Sequence, residues 1–146
     1  MRNTNESKEE NKMVVKMFNA LSIVGGFIGG LLCQLLGGWD TVLKALVLLV
    51  ILDYITGVLK GICKKTLSSA IGFKGLIKKI VVFIVVATAV IIQGVIGDAV
   101  PLREIVIVFF VCNEAISLLE NASEFVPIPE RLKETLIQLR ESNDDK

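Results

Sequence analysis

Two acids, Asp53 and Glu114, stand inside long apolar runs with no other charge for several residues on either side. A carboxylate at the middle of a membrane-crossing helix costs about 2.5–3.5 kcal/mol on insertion scales, so it needs a partner, a wet cavity or a proton. Asp53, Gly57 and Lys60 fall on one helical face, and Asn113, Glu114, Ser117, Glu120 and Asn121 make a polar stripe at helical spacing. Such a stripe suits either the lining of a water-filled assembly or hydrogen bonding between neighbouring helices, with Glu114 near enough to the surface to be hydrated. Catalytic chemistry has little to work with. The chain has no His, and its 3 Cys (Cys33, Cys63, Cys112) show no CxxC spacing. A zinc site, a disulfide framework and the commonest general base are thereby unsupported. No nucleophile stands with a base and no phosphate loop is present, so no enzyme, metal or cofactor is expected.

The elements that must carry those acids are membrane helices. Of 146 residues 53% are hydrophobic, and the mean hydropathy is +0.67. Met17–Trp39 is uncharged over 23 residues and Ile80–Gly97 over 18. Each is long enough to cross a hydrocarbon core, which takes about 20 helical residues. A soluble globule of this size has too little other chain to cover two such helices.

The expected fold class is an all-α integral membrane protein. Spans are expected at about 17–37, 41–59, 77–97 and 102–119, within a membrane domain covering 17–119. The last run is the weakest, because Glu114 breaks it, and a three-span version with a surface-lying first or last run stays open. Residues 1–16 read as a solvated, loosely ordered tail. Gly61, Gly72 and Gly75 read as helix breakers, and Pro101 as a first helical position. The region 120–146 holds an amphipathic helix at 129–141, with Leu132, Leu136 and Leu139 on one side.

Basic residues set the orientation. Lys and Arg number 4 in the N-terminal tail, 1 around the first turn, 6 over Lys60–Lys79, 1 near Pro101 and 4 in the C-terminal tail. This alternation is that of four spans with both termini cytoplasmic, since cationic loops resist translocation. The basic loop of Lys60, Lys64, Lys65, Lys74, Lys78 and Lys79 suits anionic headgroups as well as topology. Nucleic acid is not an expected partner, because only Phe73 offers a stacking ring there.

Glycines give the remaining signal. Gly25 and Gly29, and Gly26 and Gly30, form two adjacent GxxxG rows that let a second helix approach closely. The rows serve either an oligomerisation face or packing against another span of the same chain.

Taken together, Gly37-Gly38-Trp39-Asp40, Leu52-Asp53-Tyr54-Ile55-Thr56-Gly57, and Gly72-Phe73-Lys74-Gly75-Leu76 with Lys78-Lys79 resemble the toxin-secretion/phage-lysis holins. So do Asn113-Glu114-Ala115-Ile116-Ser117 with Glu120-Asn121, and Pro127-Ile128-Pro129. The resemblance runs from about Gly37 to Glu141 and leaves out the charged tail and the doubled GxxxG. It includes holins of phages of Gram-positive hosts and of clostridial toxin loci. It implies a non-catalytic protein that self-associates in the bacterial cytoplasmic membrane above a threshold density. The resulting lesions would release an endolysin or a toxin and collapse the membrane potential.

Two other readings compete: a small proton-coupled transporter using Asp53 or Glu114, and a membrane anchor whose C-terminal helix recruits a partner. A shorter product is also expected as a partner. Glu9-Glu10 must be encoded by purine-rich codons, and Asn11-Lys12 leave the spacing of a ribosome-binding site before Met13.

Overall fold

The computed structural model describes residues 4–144, whose regular structure is all helical: α1 (Thr4–Leu35), α2 (Thr41–Cys63), α3 (Ser69–Ile96), α4 (Leu102–Ala122) and α5 (Glu130–Asp144). The chain divides into two units between Leu35 and Leu36.

The first unit is the single helix α1, 32 residues long. Where the sequence suggested a loose tail over 1–16, the helix already runs from Thr4; Met1, Arg2 and Asn3 lie outside the described residues. Straight-chain Glu and Lys residues suit a helix, and Glu9 accepts from Lys12 Nζ one turn on, at 2.8 Å. Downstream the helix is apolar on every side, with Phe18, Leu21, Ile23 and Phe27 all exposed. That surface suits lipid.

The second unit is a bundle in which α4 packs against α2, α3 and α5, while α2 and α3 touch each other sparsely. Asp40 caps α2, its Oδ1 accepting from the Leu43 amide at 2.8 Å, and Ser68 caps α3 by accepting from the Ile71 amide. Gly97 closes α3 with φ 81°, a left-handed conformation open to glycine. Pro101 stands at the N-cap of α4 rather than at its first helical position. The core is one apolar layer: Leu43, Leu46 and Val50 of α2, Val82 and Val86 of α3, and Ile107 of α4.

Among the described residues, three helices are long and apolar enough to cross a bilayer, by length and composition: α1 from Lys8 to Leu35, α2, and α3, with mean hydropathy 1.6, 2.3 and 2.5. α4 is not among them, because Arg103, Glu104, Glu114 and Glu120 interrupt it. Arg103 and Glu114 are buried against neighbouring helices rather than turned outward. Ion pairs also match α4 to α2 at both ends, Arg103 to Asp40 and Glu124 to Lys64, so the two run parallel along the same length.

Helix limits differ in α3 as well as in α1, α3 beginning at Ser69 rather than 77. Gly72 and Gly75 do not break it; they sit beside the Tyr54 ring, where an added Cβ would meet it at 3.8 Å. Gly61 is likewise inside α2. The basic loop therefore shrinks to a short connection holding Lys64 and Lys65, while Lys60 belongs to α2 and Lys74, Lys78 and Lys79 to α3.

Candidate functional site: a buried ion-paired centre

The inward rows of three helices continue past the apolar core into charge. On α2 the buried row Leu43, Leu46, Val50 is followed by Asp53; on α4 Ile107 is followed by Glu114. On α3, Lys79 precedes Val82, Val86 and Ala89. Helical periodicity therefore turns each of the three charges to the same inward face as the core residues of its own helix. Asp53 lies about 18 Å along α2 from Thr41 and about 15 Å from Cys63 at helical rise, close to mid-length.

Lys79 Nζ donates to Asp53 Oδ2 at 2.6 Å and also to Glu114 Oε2. Asn121 Nδ2 donates to the other Asp53 oxygen at 3.0 Å. Side-chain exposure is 8% for Asp53, 9% for Glu114 and 14% for Lys79, so water does little of the solvation. Gly57 lies beside Asn121: a Cβ there would touch Asn121 Nδ2 at 3.5 Å, ordinary van der Waals contact, and a branched side chain would crowd it. Thr56 satisfies its hydroxyl by donating back to the Leu52 and Asp53 carbonyls, as an embedded hydroxyl must. Beside this centre is a cavity of about 170 Å³ reached by Asp53, Tyr54, Gly57, Lys79 and Asn121.

The centre corrects two expectations. Lys79 is not a loop residue but the shared cation of both acids. Glu114 is not hydrated at a surface but buried, with Lys79 as its partner. The stripe on α4 divides. Glu114 and Asn121 turn to the ion centre, Glu120 pairs with Lys133 of α5 at 3.1 Å, and Asn113 and Ser117 are half-buried. The remaining basic residues also separate. Lys60 and Lys64 approach Glu124 at 3.5 and 2.7 Å, and the Lys64 hydrogen bond holds the Glu124 carboxyl below its ordinary value. Lys65, Lys74 and Lys78 are exposed.

A second polar cluster, unforeseen from the sequence, sits at the other end of the core. Arg103 donates from Nε to the Leu36 carbonyl at 2.7 Å, from Nη1 to Asp40 at 2.6 Å and Glu104 at 3.1 Å, and from Nη2 to the Gly38 carbonyl at 3.2 Å. Its backbone amide donates to Gln93 Oε1. Gly37 (φ 79°) is required there, since a Cβ would fall 2.5 Å from Arg103 Nε. The available signal was one basic residue after Pro101 facing the Gly37–Asp40 turn.

Gly25, Gly26, Gly29 and Gly30 lie on α1, and a Cβ added at any of them meets nothing within 4 Å. Cys112 is a buried core residue, Cys33 is half-buried and Cys63 exposed; among the described residues no group of acids and Cys could hold a metal.

The model of the bacteriophage holin family matches residues 30–141, which takes in the whole ion-paired bundle. The chain belongs to the bacteriophage holin family. This holin is also 38% identical to an uncharacterized protein of Clostridium perfringens over 82% of its own length and 90% of the relative's. It is 40% identical to an uncharacterized 14.9 kDa protein in the nagH 3′ region of the same species, over 77% and 86%. A protein of Bacillus phage phi105 named probable holin is 31% identical over 71% of this chain and 78% of its own. No solved structure matches. Holins are typically non-enzymatic proteins of the cytoplasmic membrane, and this one is multi-pass by its helices. The family match leaves out Gly25, Gly26 and Gly29 and begins at Gly30.

Proposed function

We propose that this holin self-associates in the cytoplasmic membrane and opens lesions that pass an endolysin or a toxin and collapse the membrane potential. The observation that carries the reading is the family match across residues 30–141. Physical features support it. The buried charges Asp53, Lys79 and Glu114 are paired with one another, so they give a single copy no ionic wall, and a polar lining has to come from assembly. Association depends on surface density by mass action, which gives a basis for delayed onset. The glycine rows of α1 offer a close-approach face for a second copy. A product beginning at Met13 would lack the polar start of α1 and join the same assembly.

The topology proposed has four crossings with both termini cytoplasmic. Its support is the alternation of basic residues and the parallel match of α4 to α2, which takes α4 through whatever depth α2 crosses.

The cavity beside Asp53 favours one other reading, a small proton-coupled transporter. Inducible expression in bacteria with a potential-sensitive dye and a co-expressed cytoplasmic endolysin separates the two. The lesion reading expects abrupt depolarisation after a lag, followed by lysis. Saturable uptake of one solute across a sealed membrane would overturn it.

A further inference from the structure

The pairing around Lys79 leaves hydrogen-bonding capacity over. An ammonium carries three N–H donors, and Lys79 gives one to Asp53 and one to Glu114. Among the described residues no acceptor takes the third. Asn121 donates one amide N–H to Asp53, which leaves its other N–H and its carbonyl oxygen unused there. The Tyr54 hydroxyl, beside Gly72, has no partner among the described residues.

All three groups border the cavity of about 170 Å³ beside Asp53. Donors and acceptors held against hydrocarbon are costly, and water recovers that cost. A water needs about 30 Å³ and two to four polar partners, so the cavity has room for several. Its wall supplies donors in Lys79 and Asn121, an acceptor in Asp53 and, in Tyr54, a hydroxyl that serves as either.

The cavity also has a direction. Leu67 belongs to the α2–α3 connection, Ile71 to the first turn of α3 and Asn121 to the last turn of α4, so its wall runs from the ion pair to that end of the bundle. The other way, Val50 and Val82 stand one turn from Asp53 and Lys79. Behind them Leu46, Val86 and Ile107 have no exposed surface. This apolar layer closes the cavity toward the Arg103 end.

We propose that the cavity beside Asp53 is a hydration site, its water bound by Lys79, Asn121 and Tyr54, open to the membrane face at the α2–α3 connection and closed to the other. The water completes the ion pairs rather than replacing them, and it puts small hydrophilic solutes of one compartment in reach of the centre. The site rests on the membrane insertion contained in the holin reading but not on lesion formation.

The test is thiol labelling of the full chain in vesicles, at a protein density that retains an entrapped dye. Cys33→Ser, Cys63→Ser and Cys112→Ala remove the native thiols. Gly75→Cys then puts a thiol in the cavity wall, where an added Cβ meets Tyr54 no closer than 3.8 Å. Ile77→Cys, two residues on, lies on the exposed apolar surface of α3 at nearly the same depth. Thr66→Cys, exposed in the connection, reports which membrane face a vesicle preparation presents. From the connection face a membrane-impermeant methanethiosulfonate should modify Gly75→Cys about tenfold faster than Ile77→Cys, because the reacting thiolate forms where water reaches it. From the opposite face the two should be equally slow. Gly75→Cys as slow as Ile77→Cys from both faces overturns the site, and equal fast reaction from both faces overturns its closure. Val58→Cys, also in the wall, gives the same reading if circular dichroism shows Gly75→Cys unfolded. A chain that lyses cells with an unreactive cavity sinks only this inference. One that is labelled from the connection face alone yet leaves cells sealed sinks only the lesion reading.

Discussion

The Arg103 and Lys79 clusters have the same stoichiometry, one cation to two carboxylates, and opposite surroundings. Around Arg103 the acids Asp40 and Glu104 are 43% and 44% exposed, so water shares their charge. Around Lys79 both acids are nearly closed off, and each depends on the ammonium and, for Asp53, on Asn121. The first is a clamp at an aqueous boundary that fixes the Gly37–Asp40 turn and the start of α4. The second is an internal balance without which α2, α3 and α4 would hold bare charge inside the bundle. Like ion pairs thus do different work, and burial decides which.

Removing the cations should expose that difference most sharply. Lys79→Met leaves two buried carboxylates without a counter-ion and is expected to cost about 3–5 kcal/mol, seen as a large fall in detergent melting temperature. Replacing the set together (Asp53→Leu, Lys79→Met, Glu114→Leu) should restore most of it, since a packed apolar layer often matches a buried ion set. If the triple variant melts no higher than Lys79→Met, the pairing is not what limits stability. Arg103→Met should cost less, about 1–3 kcal/mol, because Asp40 and Glu104 can rehydrate. Equal losses at the two sites would erase the contrast.

Smaller changes refine the picture within each cluster. Gly57→Val should push the Asn121 amide off Asp53 and cost about 1 kcal/mol, the worth of one hydrogen bond. An undiminished melting temperature would show that Asn121 contributes nothing there. Acid bears on the Arg103 cluster through Asp40. The Arg103 hydrogen bond holds the Asp40 carboxyl below its ordinary value of 3.8. Its contribution is therefore complete at neutral pH and is lost as pH falls through that lowered value. A mild drop in melting temperature confined to pH below about 4 is expected, and Asp40→Asn should flatten it.

Much of this was legible in the residues. The helical content, the apolar spans and the embedded acids follow from hydropathy and spacing. The demand that Asp53 find a partner follows from the cost of burying charge. Lys79 was misplaced because a cluster of lysines looks alike from sequence, whereas helical phase puts Lys79 on the row of Val82 and Val86 and turns Lys78 outward. The glycines at 72 and 75 misled for a related reason. Glycine lowers helix propensity, but inside a packed or lipid-facing helix the backbone bonds outweigh that. Arg103 escaped notice because three of its partners, the Leu36 and Gly38 carbonyls and Asp40, lie in a turn 63 to 67 residues earlier, and such pairing leaves no local periodicity. The glycine rows of α1 are as legible as before, and their occupant is a matter for experiment.

Lysis complementation is the most direct test of the central claim that this bundle perforates a membrane as an assembly. A phage lacking its own holin but retaining its endolysin is supplied with this chain, and culture turbidity is followed after induction. Sudden clearing after a delay that shortens as expression rises is expected. Cells that accumulate the protein in the membrane yet stay turbid and polarised would contradict the account.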